Sequence, residues 1–387
     1  MPRIQTLDFI RGLAILGILL LNIVAFGLPS AAYLNPAWQG TASFSDALTW
    51  AVMDLFAQVK FLSLFALLFG ASLQLLLPRG KRWLQSRLFW LMAVGLIHNI
   101  FFWDGDILLD YGLLGLVVWR MIRDVPTSRQ LLNTGVMLYV AGSAVLIVLG
   151  MGTGPEPNSS WLPGIASVQY ETFWHTQGGW QAVQGRVDRF SSSLMALAAQ
   201  YGWQLAGLMM VGGALMRNGW LQGKRSLAHY RRTGLSLIAL AWMLELPAVY
   251  LQWATGWEFR WAAFFLQVPR ELGAPLQAVG YAALCYGFWP TLARLKMTHA
   301  VSCVGRMALS NYLLQTLICT TLFDRLGWFN QLDRLQLLAV VPAVWLVNLL
   351  FSVIWLRTFR QGPVEALWRK LTVMTGGEPQ QKSLREG

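Results

Sequence analysis

Charge is scarce in this sequence. Asp, Glu, Lys and Arg make up 12% of the chain, about half the ~25% of a soluble domain, too little to clothe a water-facing surface. Acidic residues are scarcer than basic ones, 18 against 30. Cysteine is nearly absent: Cys285, Cys303 and Cys319 lie scattered through apolar runs without paired spacing, which argues against a disulfide framework and against a zinc site. No internal repeat and no low-complexity tract is visible. No cleavable signal peptide is expected, because the first apolar run outlasts an h-region and lacks a small-residue cleavage site.

What is abundant is apolar. Hydrophobic residues make up 56% of the chain, with 20 Trp and 20 Phe, and the mean hydropathy is +0.47. Such a composition belongs in a bilayer. The net charge of +12 does not imply a nucleic-acid partner, which would gather the basic residues on one folded face. Here they punctuate apolar segments, so the bilayer is the expected partner.

Ten segments approach the ~20 residues that cross ~30 Å of hydrocarbon: roughly 8–28, 45–77, 84–103, 106–121, 131–152, 191–216, 233–254, 273–293, 299–323 and 335–356. Segment 45–77 could be one long span, a broken helix or two short spans. Loop charge decides between one crossing and two. Arg3, the clusters at 79–87, 120–129, 217–232 and 294–296, and the tail hold 21 basic residues, whereas the intervening loops hold 6. That asymmetry is the positive-inside pattern, with both termini cytoplasmic. It survives only if 45–77 crosses once. The expected fold is an all-α polytopic membrane protein of about ten transmembrane helices, forming a single domain over 1–375. An external cap loop lies at about 153–190, between helices five and six, and a disordered cytoplasmic tail follows from 376 to 387.

Only Arg11, Lys60 and Arg306 fall within long apolar stretches. A cation there costs at least ~2.5–3.5 kcal/mol and persists where a partner or a polar cavity uses it. Arg11 can pair with Asp8 one turn away. Asn22 projects from the same face about 16 Å further on, giving a polar stripe suited to an anionic ligand or to helix pairing; the alternative is an Arg11 that snorkels to the inner surface. Lys60, on a segment made semi-polar by Asp54 and Gln58, either pairs with a carboxylate between helices or lines a cavity for an anion. Arg306 shares a face with Ser310, and Asn311 follows. Small Gly305, Ala308 and Ser310 allow close helix approach, while the Arg fork suits carboxylate or phosphate. His98 precedes the turn Trp103-Asp104-Gly105-Asp106. It is either a hydrogen-bonded core histidine or a general base oriented by Asp104 or Asp106. The spacing of His98, Asp104 and Asp106 matches no specific metal site, and no metal is expected. Glu245 and the external pair Arg270-Glu271 are further candidates for cavity lining.

Leu7-Asp8-Phe9-Ile10-Arg11-Gly12, Leu21-Asn22-Ile23, Phe65-Ala66-Leu67-Leu68-Phe69-Gly70, His98 with Phe101-Phe102-Trp103-Asp104-Gly105-Asp106-Ile107-Leu108, and Gly305-Arg306-Met307-Ala308-Leu309-Ser310-Asn311-Tyr312 resemble the YeiB-type bacterial inner-membrane proteins over essentially the whole chain. That family carries an association with transport. More distantly, the first two helices resemble the transmembrane acyltransferases that include heparan-α-glucosaminide N-acetyltransferase, which move an acetyl group from cytosolic acetyl-CoA to a sugar amine across the membrane. Arg11-Gly12, Asn22, Trp38 and Gly40 fall in register with that pattern. Its catalytic histidine does not: this chain reads Leu34-Asn35-Pro36-Ala37-Trp38.

Three functions follow as expectations. In the first, an acyltransferase takes acyl-CoA, with acetyl-CoA as the implied co-substrate, and an envelope sugar, lipid or other small-molecule acceptor. His98, Asp104 and Asp106 do the chemistry, and Arg11, Asn22, Lys60, Arg306, Ser310, Asn311 and Glu271 bind substrate. The second is a transporter or flippase for an anionic or lipid-like solute. The third is a non-catalytic protein that binds lipid or a partner, a second copy of the chain included. Cysteine labelling tests the topology: a reporter within 79–87 is expected to react only from the cytoplasm, and reaction from outside would overturn the single crossing of 45–77.

Overall fold

The computed structural model describes residues 4–380. Arg3 and the last part of the expected tail, 381–387, lie outside the described residues.

Helices α1 (Gln5–Gly27), α2 (Phe44–Phe56), α3 (Lys60–Leu76), α4 (Lys81–Phe101), α5 (Leu108–Asp124) and α6 (Ser128–Gly152) make the first half of the bundle. Helices α7 (Ile165–Gln177) and α8 (Gly179–Ala196) follow, and α8 runs through a π-helical turn at 197–201 into α9 (Gly202–Arg217). The second half is α10 (Leu227–Ala254), α11 (Gln267–Gly287), the short α12 (Trp289–Leu292), α13 (Lys296–Arg306), α14 (Ala308–Thr320), α15 (Arg334–Thr358) and α16 (Pro363–Gly376). Each of the ten expected spans falls on helix. Among the described residues, six helices are long and apolar enough to cross a membrane. Large apolar side chains stand exposed along several of them, as at Met137 on α6, Met243 on α10 and Ile354 on α15, the surface a bilayer rather than water would accept.

Helix α1 is the axis of the fold. It is apolar and buried nearly all round, and α3, α13, α14 and α15 pack on it. Two glycines set its crossing with α13. A methyl group at Gly12 would collide with the Val301 carbonyl, and one at Gly305 with the Asp8 carbonyl. Backbone therefore meets backbone, and the flanking arginines, Arg11 and Arg306, are brought to the wall of one cavity.

Three of the expected spans are interrupted: 273–293 turns at Phe288, between α11 and α12 and beside Gly287 and Pro290, whereas the other two breaks contain neither Gly nor Pro. Segment 45–77 falls within one 36-residue helical unit, Phe44–Arg79, long and apolar enough to cross a membrane and interrupted between α2 and α3, where Val59 has a left-handed φ of 65°. For a β-branched residue this costs on the order of 1–3 kcal/mol and persists only under tertiary constraint. The second break, at Met307, separates α13 from α14. The freed N–H groups of Leu309 and Ser310 donate to the Glu365 carboxylate at 2.8 and 3.1 Å, so α16 supplies the anion that a helix N-terminus favours.

The loop expected as a cap holds α7 and the start of α8. It is pinned by Glu171, which accepts from the Ser30 N–H at 2.9 Å, by Arg186, which donates to the Phe101 carbonyl at 3.2 Å, and by His175 with Asp324 at 2.9 Å. This end is called the cap end below. The other, with Arg79, Arg82 and Arg87, is the basic end. There Gly376 closes α16, and the Gln380 N–H donates to the Arg79 carbonyl at 3.0 Å.

Candidate functional site

A cavity of about 570 Å³ extends inward from the cap end. Its deep wall is apolar (Ile18, Leu62, Ile107), whereas its sides carry Asn22, Gln58, Gln200, Gln204, Gln267 and the charged groups Asp104, Glu171, Arg189, Arg270 and Glu271. The start of α3, Val59 to Ser63, borders it, so the N-terminal dipole of a half-helix faces the space. Trp103 closes one side, stacked on Phe26 with ring centroids 4.0 Å apart; Gly105 leaves room for its ring.

A second cavity, of about 340 Å³, extends from the basic end. Its walls are Phe65, Phe69, Leu88, Leu91 and Tyr111, and Arg11, Arg87, Arg306 and Glu365 stand around it. Arg11 reaches Asp8 at 3.4 Å and Ser72 at 3.3 Å. Arg87 lies over the Trp368 ring at 3.4 Å, and Arg306 donates to the Arg360 carbonyl at 3.2 Å. Ile107 lines both cavities. The two spaces are back to back, with that residue in the septum.

His98 stands behind the septum, 4% exposed. Its Nδ1 lies 2.7 Å from Asp106 Oδ1 and its Nε2 3.0 Å from Thr316 Oγ1. The other Asp106 oxygen accepts from the Leu109 N–H at 2.9 Å, and the Tyr312 ring packs 5.5 Å from the imidazole. Tyr312 in turn accepts from the Ile107 N–H at 3.3 Å. The imidazole is thus oriented by a carboxylate and joined through Tyr312 to the septum, although it lines neither of these cavities. Asp104 turns instead to Arg189, 3.3 Å away, which also meets Glu171 at 2.7 Å. No group of three His, Cys, Asp or Glu among the described residues could hold a metal ion.

The other expected residues divide. Arg11 and Asn22 do share a face, and it serves both chambers: Arg11 lines the basic-end cavity and Asn22 the cap-end one. Arg306 joins Arg11, and Glu271 joins Asn22. Lys60 lines neither cavity. It is fully buried, with Nζ 3.0 Å from Glu245 Oε2 and 2.5 Å from the Asp54 carbonyl, which realises the helix-to-helix ion pair. Ser310 is committed to Glu365. Asn311 donates to Ser352 Oγ at 2.8 Å and accepts from Asn348 at 3.0 Å, in a buried ladder between α14 and α15. Asn35 is also structural: its amide donates to the Trp161 carbonyl at 3.0 Å and its oxygen accepts from the Ala37 N–H at 2.9 Å.

Arg270, expected with Glu271 as cavity lining, does border the cap-end cavity; it is 4% exposed and bonds Asp54 at 3.0 Å, Gln267 at 2.8 Å and Glu271 at 3.2 Å. Two other site residues are not singled out by the sequence reading. Arg87 counts there only as part of the basic cluster, and Glu365 is not named; both border the basic-end cavity. Their flanking apolar residues at helical spacing were the available signal.

These features define a multi-pass helical membrane protein with a charged cavity at one end and an apolar, arginine-rimmed cavity at the other. Residues 215–375 match the family model described as "Protein of unknown function (DUF418)". Over 385 residues and 100% of both chains, the sequence is 61% identical to "Uncharacterized protein YeiB" of Escherichia coli (strain K12). It is 29% identical to "Uncharacterized protein YxaH" of Bacillus subtilis (strain 168), across 96% of this chain and 95% of the relative. The chain belongs to the YeiB family.

A buried ion pair that loses one partner leaves an unsolvated charge, which costs about 3–5 kcal/mol. Lys60→Met is therefore expected to lower the unfolding midpoint in detergent sharply, and the double variant Lys60→Met/Glu245→Leu to recover most of the loss. A single variant as stable as the parent would contradict the pairing.

Proposed function

We propose that the protein is an acyltransferase of the bacterial inner (cytoplasmic) membrane, crossing it ten times with the basic end and both termini inside and the cap outside. The observation that carries the reading is the pair of cavities converging on Ile107 from opposite ends. Arg11, Arg87 and Arg306 would hold the phosphates of cytosolic acyl-CoA, acetyl-CoA in the simplest case, while the apolar wall receives the acyl and pantetheine arm. A space of about 340 Å³ is too small for the whole molecule, so the nucleotide would rest against the basic loops. The cap-end cavity would take the acceptor, a sugar, lipid or other envelope molecule, against Asn22 and Glu271.

In the reaction, a hydroxyl or amine of the acceptor attacks the thioester carbonyl carbon beside Ile107. The new C–O or C–N bond forms as C–S breaks, the nucleophile's proton passes to His98, and the CoA thiolate leaves toward the basic end. Asp106 orients the imidazole and balances its charge when protonated. His98 must exchange Thr316 for the acceptor, directly or through one water, to come within the ~3 Å that proton transfer needs.

A second reading, a transporter or flippase of an anionic or lipid-like solute, draws on the break between α2 and α3. Discontinuous helices that point half-helix ends at a mid-membrane site are a transporter device. Two measurements separate the readings. Purified protein is expected to bind acetyl-CoA, with Arg306→Ala weakening it about tenfold, the ~1.4 kcal/mol of one charge-assisted contact. His98→Ala is expected to abolish acyl transfer with CoA binding intact. No binding at millimolar CoA, together with solute flux in vesicles, would replace the first reading by the second.

A further inference from the structure

Beside the cap-end cavity lies a smaller chamber of about 240 Å³, joined to it along Asp104, Ile107 and Tyr201. Asp104, Asp106 and Asp110 all line it. Two of these carboxylates are answered by cationic or titratable partners, Asp104 by Arg189 and Asp106 by His98. Asp110 is not. It is 8% exposed and accepts one hydrogen bond, from the Tyr201 hydroxyl at 2.8 Å, and no ion pair reaches it among the described residues. Asn99, 5% exposed, also faces the chamber. Its Nδ2 donates to the Asp104 carbonyl at 3.1 Å, which fixes the amide, and its Oδ1 is buried without a hydrogen-bond partner among the described residues.

A buried acceptor left unpaired costs about 1–3 kcal/mol, and a buried carboxylate without a cation costs more. Asn99 Oδ1 can only accept and Asp110 lacks a cation, so a donor bearing positive charge would answer both. A bare metal ion fits poorly, because among the described residues no three carboxylate or imidazole groups converge on one point and the space is wide enough for an organic group.

We propose that this chamber binds a primary ammonium group carried by the solute of the cap-end cavity. Two of the three ammonium N–H donors would serve Asp110 and Asn99 Oδ1, leaving the third for water. Held between such acceptors, the nitrogen keeps its proton and lone pair occupied. It is therefore a recognition handle rather than the nucleophile, and the reacting group of the same molecule lies toward Ile107. The inference rests on the reading that the cap-end cavity admits a solute. It is indifferent to whether that solute is acylated or moved.

Thermal unfolding of the full-length protein in detergent tests it, with aminopentanol as the probe and pentanediol as the neutral counterpart. Aminopentanol is expected to raise the midpoint with dose, as a ligand of the native state does, and pentanediol to leave it unmoved. Asp110→Asn keeps an acceptor for Tyr201 and is expected to weaken the amine at least about tenfold. Tyr201→Phe frees the carboxylate and should tighten the amine several-fold. Equal shifts from the diol, an undiminished amine response in Asp110→Asn, or a response to Na⁺ or Ca²⁺ with none to the amine would overturn the proposal. If Asp110→Asn does not fold, Tyr201→Phe decides, since an unchanged amine affinity there is equally contrary. Acetyl-CoA binding on the same samples separates the two ideas: an absent amine response with CoA bound sinks the chamber alone, and the reverse sinks acyl transfer alone.

Discussion

Where α2 gives way to α3, Lys60, Glu245, Asp54, Arg270 and Glu271 are all buried, and buried charges are costly unless they are paired. The chain answers by pairing them: Lys60 with Glu245 from α10, and Arg270 of α11 with Asp54 and Glu271. Gln204 and Tyr139 extend the network to α9 and α6 through the Glu271 carboxylate and carbonyl. Six of the bundle's helices and the left-handed turn at Val59 are therefore tied by one polar network. The half-helix break that this network holds open is what lets the start of α3 border the cap-end cavity.

The same economy governs the other end. Gly12 and Gly305 let α1 and α13 touch backbone to backbone, which sets Arg11 and Arg306 around one chamber, while Glu365 caps the exposed start of α14. Polar groups thus collect at two helix breaks, one on each side of Ile107. The His98–Asp106 pair stands beside the residue that separates them. An arrangement of that kind suits a reaction whose two substrates arrive from opposite faces, since neither needs to cross.

Much of the helix plan was legible in the residues, because hydrophobic length and the distribution of Lys and Arg are set by the bilayer itself. All ten stretches fall on helix, and 45–77 runs as one unit. A broken helix was one reading of 45–77, but the positions of that break and of the one at Met307 were hidden, because Ala57-Gln58-Val59 and Met307 contain no helix breaker; buried ion pairs and a carboxylate from α16 meet them there, and those are tertiary facts. Counting loop charge also concealed Arg87, since a tally by segment treats a cation at a helix end as solvated whether it faces water or a cavity. His98 and Asp106 were legible as a pair because eight residues and one turn separate them. Ser310 and Asn311 looked like ligand-binding groups, and the bonds that occupy them come from α16 and α15, far along the chain.

The most direct measurement is a cryo-EM map of the protein with a non-hydrolysable thioether analogue of acetyl-CoA. Density is expected to run from Arg11, Arg87 and Arg306 along the apolar wall and to end at Ile107, close to His98. An analogue seated at the cap end, or one whose acyl carbon stops far from Ile107, would contradict transfer through two cavities that meet at the septum.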